Sequence, residues 1–237
     1  MRRVIFLGLI GLTLSCRGGS KDAVEVSELT VEQVYERVAE AITQRGEVFH
    51  AEVAVESQGT DPWEDQELWI DAAGDRARWI IDPPETYLIS DGAVYTQDSC
   101  NTQEECFETT GKDRDPPQLC PEANAAVSVL LQFTYCGPFP FPAVDHRIET
   151  NDYSGTPAVV IVSESGFNLE GAAVTFSGRY YVQRDSFLPL GYELEYGSQD
   201  RADERTTVAG VFSNEFIQMD SLPEDFFDPR AIGYDGS

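Results

Sequence analysis

Histidine and positive charge are what this chain of 237 residues has least of: two histidines, His50 and His146, and 16 Lys and Arg against 42 Asp and Glu. A net charge of −26 repels phosphates, so no nucleic-acid partner is expected. The same sign opposes electrostatic docking on anionic lipid headgroups, which attract basic segments. The sequence has no G-x-S-x-G elbow, no H-E-x-x-H pair, no Walker loop and no dinucleotide fingerprint. Two histidines leave few bases to activate a nucleophile. With this many acids, neighbouring carboxylates such as Glu64-Asp65 and Glu104-Glu105 arise by chance and are expected to be solvated faces rather than a glycosidic pair. His50 falls on the polar side of a strand pattern and His146 follows a proline-rich stretch, so both are expected at the surface rather than as ligands. These absences argue against an enzyme and imply no cofactor and no metal.

Long apolar runs are also missing, except from Val4 to Leu14 behind Arg2 and Arg3. That stretch is too short for a lasting transmembrane helix and has the form of a secretory signal. It ends in Leu12-Thr13-Leu14-Ser15-Cys16, a small residue directly before a cysteine. This resembles the bacterial lipobox, with Thr13 where Leu is usual, and implies cleavage before Cys16 and acylation of Cys16. An ordinary secretory peptide is the alternative, but no A-x-A-like site is present. Residues 1–15 are therefore expected to be the signal peptide, 16–28 a lipid-anchored Gly/Ser-bearing tether, and 29–237 one folded domain. The expected location is the bacterial cell envelope, with the body in the periplasm or outside the cell. Attachment to the membrane would come through the acyl chains on Cys16, since several chains anchor stably where one does not.

Cys100, Cys106, Cys120 and Cys136 remain, an even number in an exported chain, which implies two disulfides. No C-x2-C pair or nearby histidine suggests zinc at them. Cys100 and Cys106 flank a five-residue polar loop and suit a bridge across a hairpin. Pairing Cys120 with Cys136 is harder, because a helix between them would separate its ends by about 15 Å whereas a disulfide needs Cα atoms within about 7 Å. The crossed pairings stay open.

Along the body, Thr30 and Gln33 form a capping-box pattern ahead of Val31, Val34, Tyr35, Val38, Ala41 and Ile42, which recur at helical spacing up to a stop at Gly46. The period then becomes two: Phe49, Ala51, Val53 and Val55 alternate with His50, Glu52, Ala54 and Glu56. Further strands are predicted over 67–71, 76–80, 86–90, 93–97, 146–150, 158–164, 173–183, 190–196 and 206–219. Their turns are at Ala73-Gly74-Asp75, Asp91-Gly92, Asp185-Ser186 and 197–203. Residues 109–122 read as a charged loop, and Ala123 to Phe133 as a second helix, apolar on much of its circumference. Gly137-Pro138-Phe139-Pro140-Phe141-Pro142 excludes helix and central strand, and sets Phe139 and Phe141 on a stiff loop where rigid aromatics suit a cavity mouth or partner surface. The expected fold is α+β: about nine to eleven antiparallel strands in a highly curved open half-barrel, with two helices on its concave side.

This order of parts resembles the LolA-like lipoprotein-carrier superfamily and its membrane-anchored relatives. The resemblance rests on the opening helix, then Phe49-His50-Ala51-Glu52-Val53, then Ser90-Asp91-Gly92-Ala93-Val94-Tyr95. It continues in Leu188-Pro189-Leu190 and the closing Leu222-Pro223-Glu224-Asp225-Phe226. It implies a sheet whose helices plug a hydrophobic cavity that holds acyl chains, with lipid or an acylated protein as partner. Inner-facing candidates for the wall are Phe49, Val53, Leu68 and Ile89, with Phe139 and Phe141 near its mouth. The chain departs from the soluble carrier in keeping a lipidation cysteine, in its disulfides and in its Phe-Pro-Phe-Pro loop. An anchored receptor or sensor is thus expected in place of a shuttle. The alternative is a ligand-free scaffold acting through protein contacts.

Overall fold

The computed structural model describes residues 29–43, 47–59, 64–82, 85–90, 93–97, 111–113, 145–169, 172–198 and 205–234. The helix α1 (Val31–Thr43) starts as the capping box dictates. Thr30 N donates to Gln33 Oε1 at 2.9 Å and Gln33 N to Thr30 Oγ1 at 3.3 Å, satisfying two backbone donors that the helix leaves free. Val34, Tyr35, Val38 and Ile42 form its buried stripe. It is the one α-helix among the described residues; the second predicted helix lies outside them.

Eleven strands follow: β1 (Val48–Gln58), β2 (Gln66–Asp71), β3 (Arg76–Asp82), β4 (Glu85–Ser90), β5 (Ala93–Gln97), β6 (Gly111–Asp113), β7 (Asp145–Tyr153), β8 (Thr156–Leu169), β9 (Ala172–Gln183), β10 (Pro189–Ser198) and β11 (Arg205–Ile217). They form a single open antiparallel sheet in the order β6-β5-β4-β3-β2-β1-β11-β10-β9-β8-β7. Each half is a meander of sequence neighbours, and the two halves join where β1 pairs with β11, from Val48 opposite Ile217 to Gln58 opposite Thr207. The first and last strands thus meet at the sheet's centre. Two details correct the sequence reading. Residues 111–113, read as loop, add a short edge strand to β5, and β10 runs on to Ser198, past the predicted turn at Gly197.

Local chemistry sets the turns. Asp71 accepts from Gly74 N at 3.1 Å and from Arg76, closing the β2–β3 turn. Ser90 faces Ala93 across β4–β5, as a two-residue Asp-Gly link requires. Ser154 and Gly155 both take positive φ, 50° and 84°, between Tyr153 and Thr156, the backbone of a type I′ hairpin.

Side chains alternate between two faces. One face carries Phe49, Ala51, Val53, Leu68, Ile70, Ile89, Val159, Ile161, Tyr180, Val182, Tyr192 and Phe212, all buried with the stripe of α1 in one cluster. Tyr192 lies flat against Gly210, where a Cβ would come within 2.2 Å of the ring. The opposite face is covered on the β1–β5 side by the chain's end. There Leu222, Phe226, Phe227, Ile232 and Tyr234 pack on Val48, Trp69, Leu88 and Tyr95. Two short 3-10 turns, Met219–Ser221 and Pro229–Ile232, shape that segment, and Asp228 caps the second by accepting from Arg230 N.

Candidate functional site

The four predicted wall residues are brought together. Phe49 and Val53 on β1, Leu68 on β2 and Ile89 on β4 all face α1 and are buried in the same cluster, with 0%, 1%, 0% and 5% of their surface exposed. Cross-strand pairing explains this. Ala51 sits opposite Leu68, Ile70 opposite Ala77, and Ala77 opposite Ile89, so one row of apolar side chains crosses β1 to β4. Across β11 and β10 the row continues through Phe212, Tyr192 and Leu194 to Tyr180 and Ile161. α1 adds Val34, Tyr35, Val38 and Ile42 to the same buried cluster. Polarity enters at its rim, where Trp79 Nε1 donates to Gln66 Oε1 at 3.1 Å.

The hollows lie at the margins of this face, with Val55, Leu194 and Val208 bordering the first and Val53 the second. One of about 720 Å³ is bordered by Glu56, Gln58, Arg179, Glu193, Glu195 and Thr207. A second, of about 310 Å³, lies by Glu52, Glu67 and Ile80. A third, of about 480 Å³, is flanked by Arg37, Phe187, Leu188 and Phe216, with the Arg37 guanidinium 5.0 Å from the Phe187 ring centroid. The carboxylates and guanidinium groups of the first and third make poor surroundings for an acyl chain.

His50 overturns the sequence expectation that it is a surface residue: only 6% of it is exposed. It does project from the polar side of β1, but that side is covered here. Its ring stacks on Trp69 with centroids 4.7 Å apart, and Trp69 meets Phe226 edge-on at 5.2 Å. His50 Nδ1 lies 2.7 Å from Glu215 Oε1 and Nε2 lies 2.9 Å from Glu67 Oε1. Arg78 completes this region. Its guanidinium sits over Phe226, and burial pushes its pKa below the ordinary value against the opposing pull of Glu67 and Asp225. Only a tail 176 residues after His50 could reveal this cover, so the local sequence carried no signal for it.

His146, by contrast, is exposed on β7 as expected, with Nδ1 3.0 Å from Ser163 Oγ. Desolvation lowers its pKa, opposed by Glu32 at the start of α1 and by Asp145. Glu64 and Asp65 are exposed, as read, and Asp65 accepts from Val55 N at 2.7 Å. Cys16, Cys100, Cys106, Cys120, Cys136, Phe139 and Phe141 lie outside the described residues, as do Glu104-Glu105. No described helix is long and apolar enough to cross a membrane. No protein-family model matches the chain, and no curated protein matches it.

Proposed function

We propose that this is an exported, lipid-anchored cell-envelope protein that takes acyl chains of a lipid or acylated protein against the helix-covered face of its sheet, without catalysis. The supporting observation is the continuous apolar row from Ile89 to Ile161, closed by one amphipathic helix. In this reading the sheet is a highly curved half-barrel of the LolA-like kind, and α1 with the second predicted helix plugs its concave side. Phe49, Val53, Leu68 and Ile89 are its wall. Because α1 is packed into the same buried cluster, a ligand enters by exchanging with the helix. The energies are of one scale. Four buried side chains on α1 contribute about 1.5–3 kcal/mol each, and an acyl chain recovers about 0.8 kcal/mol per methylene, so about a dozen methylenes match the helix. Cys16 supplies the anchor, and two disulfides among the other cysteines brace the segment between β5 and β7.

The same filled core favours a second reading, a ligand-free scaffold that meets other envelope proteins through its acidic surface. Native mass spectrometry with lipid extraction separates the two. The full chain is expressed into an oxidising periplasm and released gently from detergent. Non-covalently retained acyl lipids are expected. A bare mass that stays unchanged after incubation with envelope lipids would leave the scaffold reading standing.

A further inference from the structure

On the face opposite α1, His50, Glu52 and Glu67 bring three potential ligand atoms within 4.8 Å of one another. We propose that they bind a divalent transition-metal ion, with Zn2+ as the representative, in a site independent of the acyl-chain reading.

Three observations converge. Glu52 and Glu67 sit directly opposite each other in the β1–β2 register, a like-charge pair that destabilises a sheet unless a cation lies between. Across β3, Glu67 faces Ile80, so the ladder offers no cation directly opposite it. Arg78 acts on Glu67 electrostatically, while the side chain of Glu52 makes no hydrogen bond or ion pair among the described residues.

The second observation is the setting of His50. A neutral imidazole has one N–H and one lone pair. Glu215, opposite His50 on β11, lies 2.7 Å from Nδ1 and Glu67 Oε1 lies 2.9 Å from Nε2, so a neutral ring donates to only one of them and turns a lone pair toward the other. Two acceptors then face each other, and something electropositive must sit beside them: a second ring proton or a metal ion. A carboxylate on the far nitrogen is also the arrangement that orients metal-binding histidines and raises their basicity. Stacking on Trp69 fixes the ring plane.

Third, the 310 Å³ hollow opens beside Glu52 and Glu67. Three protein ligands from β1 and β2 leave one tetrahedral position for water or an external ligand, and the hollow gives such a ligand room beside the two carboxylates. One imidazole and two carboxylates suit zinc-like ions, whereas Mg2+ and Ca2+ prefer oxygen alone.

The test uses the untagged full chain in detergent, stripped with chelator and titrated calorimetrically with ZnCl2, with MgCl2 as control. One Zn2+ site per chain is expected, absent for Mg2+. His50→Ala should weaken it at least about 100-fold, and Glu215→Ala about 10- to 100-fold, because it removes the orienting bond without touching the ion. Glu52→Gln guards against misfolding of the histidine variant. It relieves the carboxylate repulsion, so it should melt no lower than the parent without metal and lose most of the melting shift that Zn2+ gives the parent. The proposal is overturned if Zn2+ fails to bind, if it spreads over many weak sites indifferent to His50→Ala, or if Glu52→Gln keeps the full shift.

Discussion

The two faces of this sheet are covered by opposite ends of the folded chain, and they bury different chemistry. The face under α1 is an apolar row, with Phe49, Leu68 and Tyr192 at essentially zero exposure. The face under the C-terminal segment mixes aromatics with His50, Glu67, Asp71 and Arg78, and its cover is made of 3-10 turns. An amphipathic helix satisfies its own backbone and so can seal an oily surface. The irregular tail leaves room for side-chain carboxylates and their partners. Stability is concentrated on the first face, and the polar chemistry is gathered on the second.

The largest effect expected comes from opening each core in turn. Phe49→Ala should cost about 4–5 kcal/mol and Phe227→Ala about 3 kcal/mol in urea unfolding, because Phe49 is fully enclosed in the larger cluster while Phe227 closes a smaller one. Equal losses would mean that the two faces form one cooperative core, and the contrast would fail.

Alkali sharpens the comparison further. Burial pushes the phenols of Tyr180 and Tyr192, on the helix face, well above their usual range. Tyr181 on the other face is pushed up to about 12, first by burial and then by its hydrogen bond to Glu193. The unfolded chain ionises tyrosine near pH 10, so above that pH the folded state holds more protons and stability falls. The slope is about 1.4 kcal/mol per pH unit for each phenol held neutral. Urea midpoints between pH 9 and pH 11 should drop, and Tyr180→Phe should flatten the drop. An unchanged slope in that variant would remove Tyr180 from the account.

The smallest effect belongs to the tail. Hydrogen bonds from the Arg230 side chain, then from its backbone N–H, lower the Asp228 pKa from 3.8 to about 2. Its contribution is therefore present above the unfolded value and lost as pH falls from about 4 toward 2. Amide protection at Ala231 and Gly233, taken relative to the intrinsic exchange rate at each pH, should fall over that window before protection in β1 does, and Asp228→Asn should be poorly protected there at every pH. Simultaneous loosening of β1 would contradict separate closure of the two faces.

Much of this architecture was legible residue by residue. Thr30 and Gln33 announced α1 because capping is a local bond, and alternation from Phe49 to Val55 announced β1 because strand period is a local geometry. That alternation also put Phe49 and Val53 on the face that carries the buried cluster. The short β6 was missed because three polar residues carry no period, and they become a strand only through pairing with β5. His50 was misplaced for a related reason: alternation tells which side of a strand a residue takes, not what later covers that side.

Apart from β6, the element order, the sides of the strands and the charge can be read from residue order alone, since these follow from short-range periodicity and composition. Tertiary structure alone decided that β1 would pair with β11, that the tail would bury His50, and that Glu52, Glu67 and Glu215 would converge around it. Those contacts join residues far apart in the chain. Their energies come from sheet register and from water excluded by distant segments, and no local pattern encodes either.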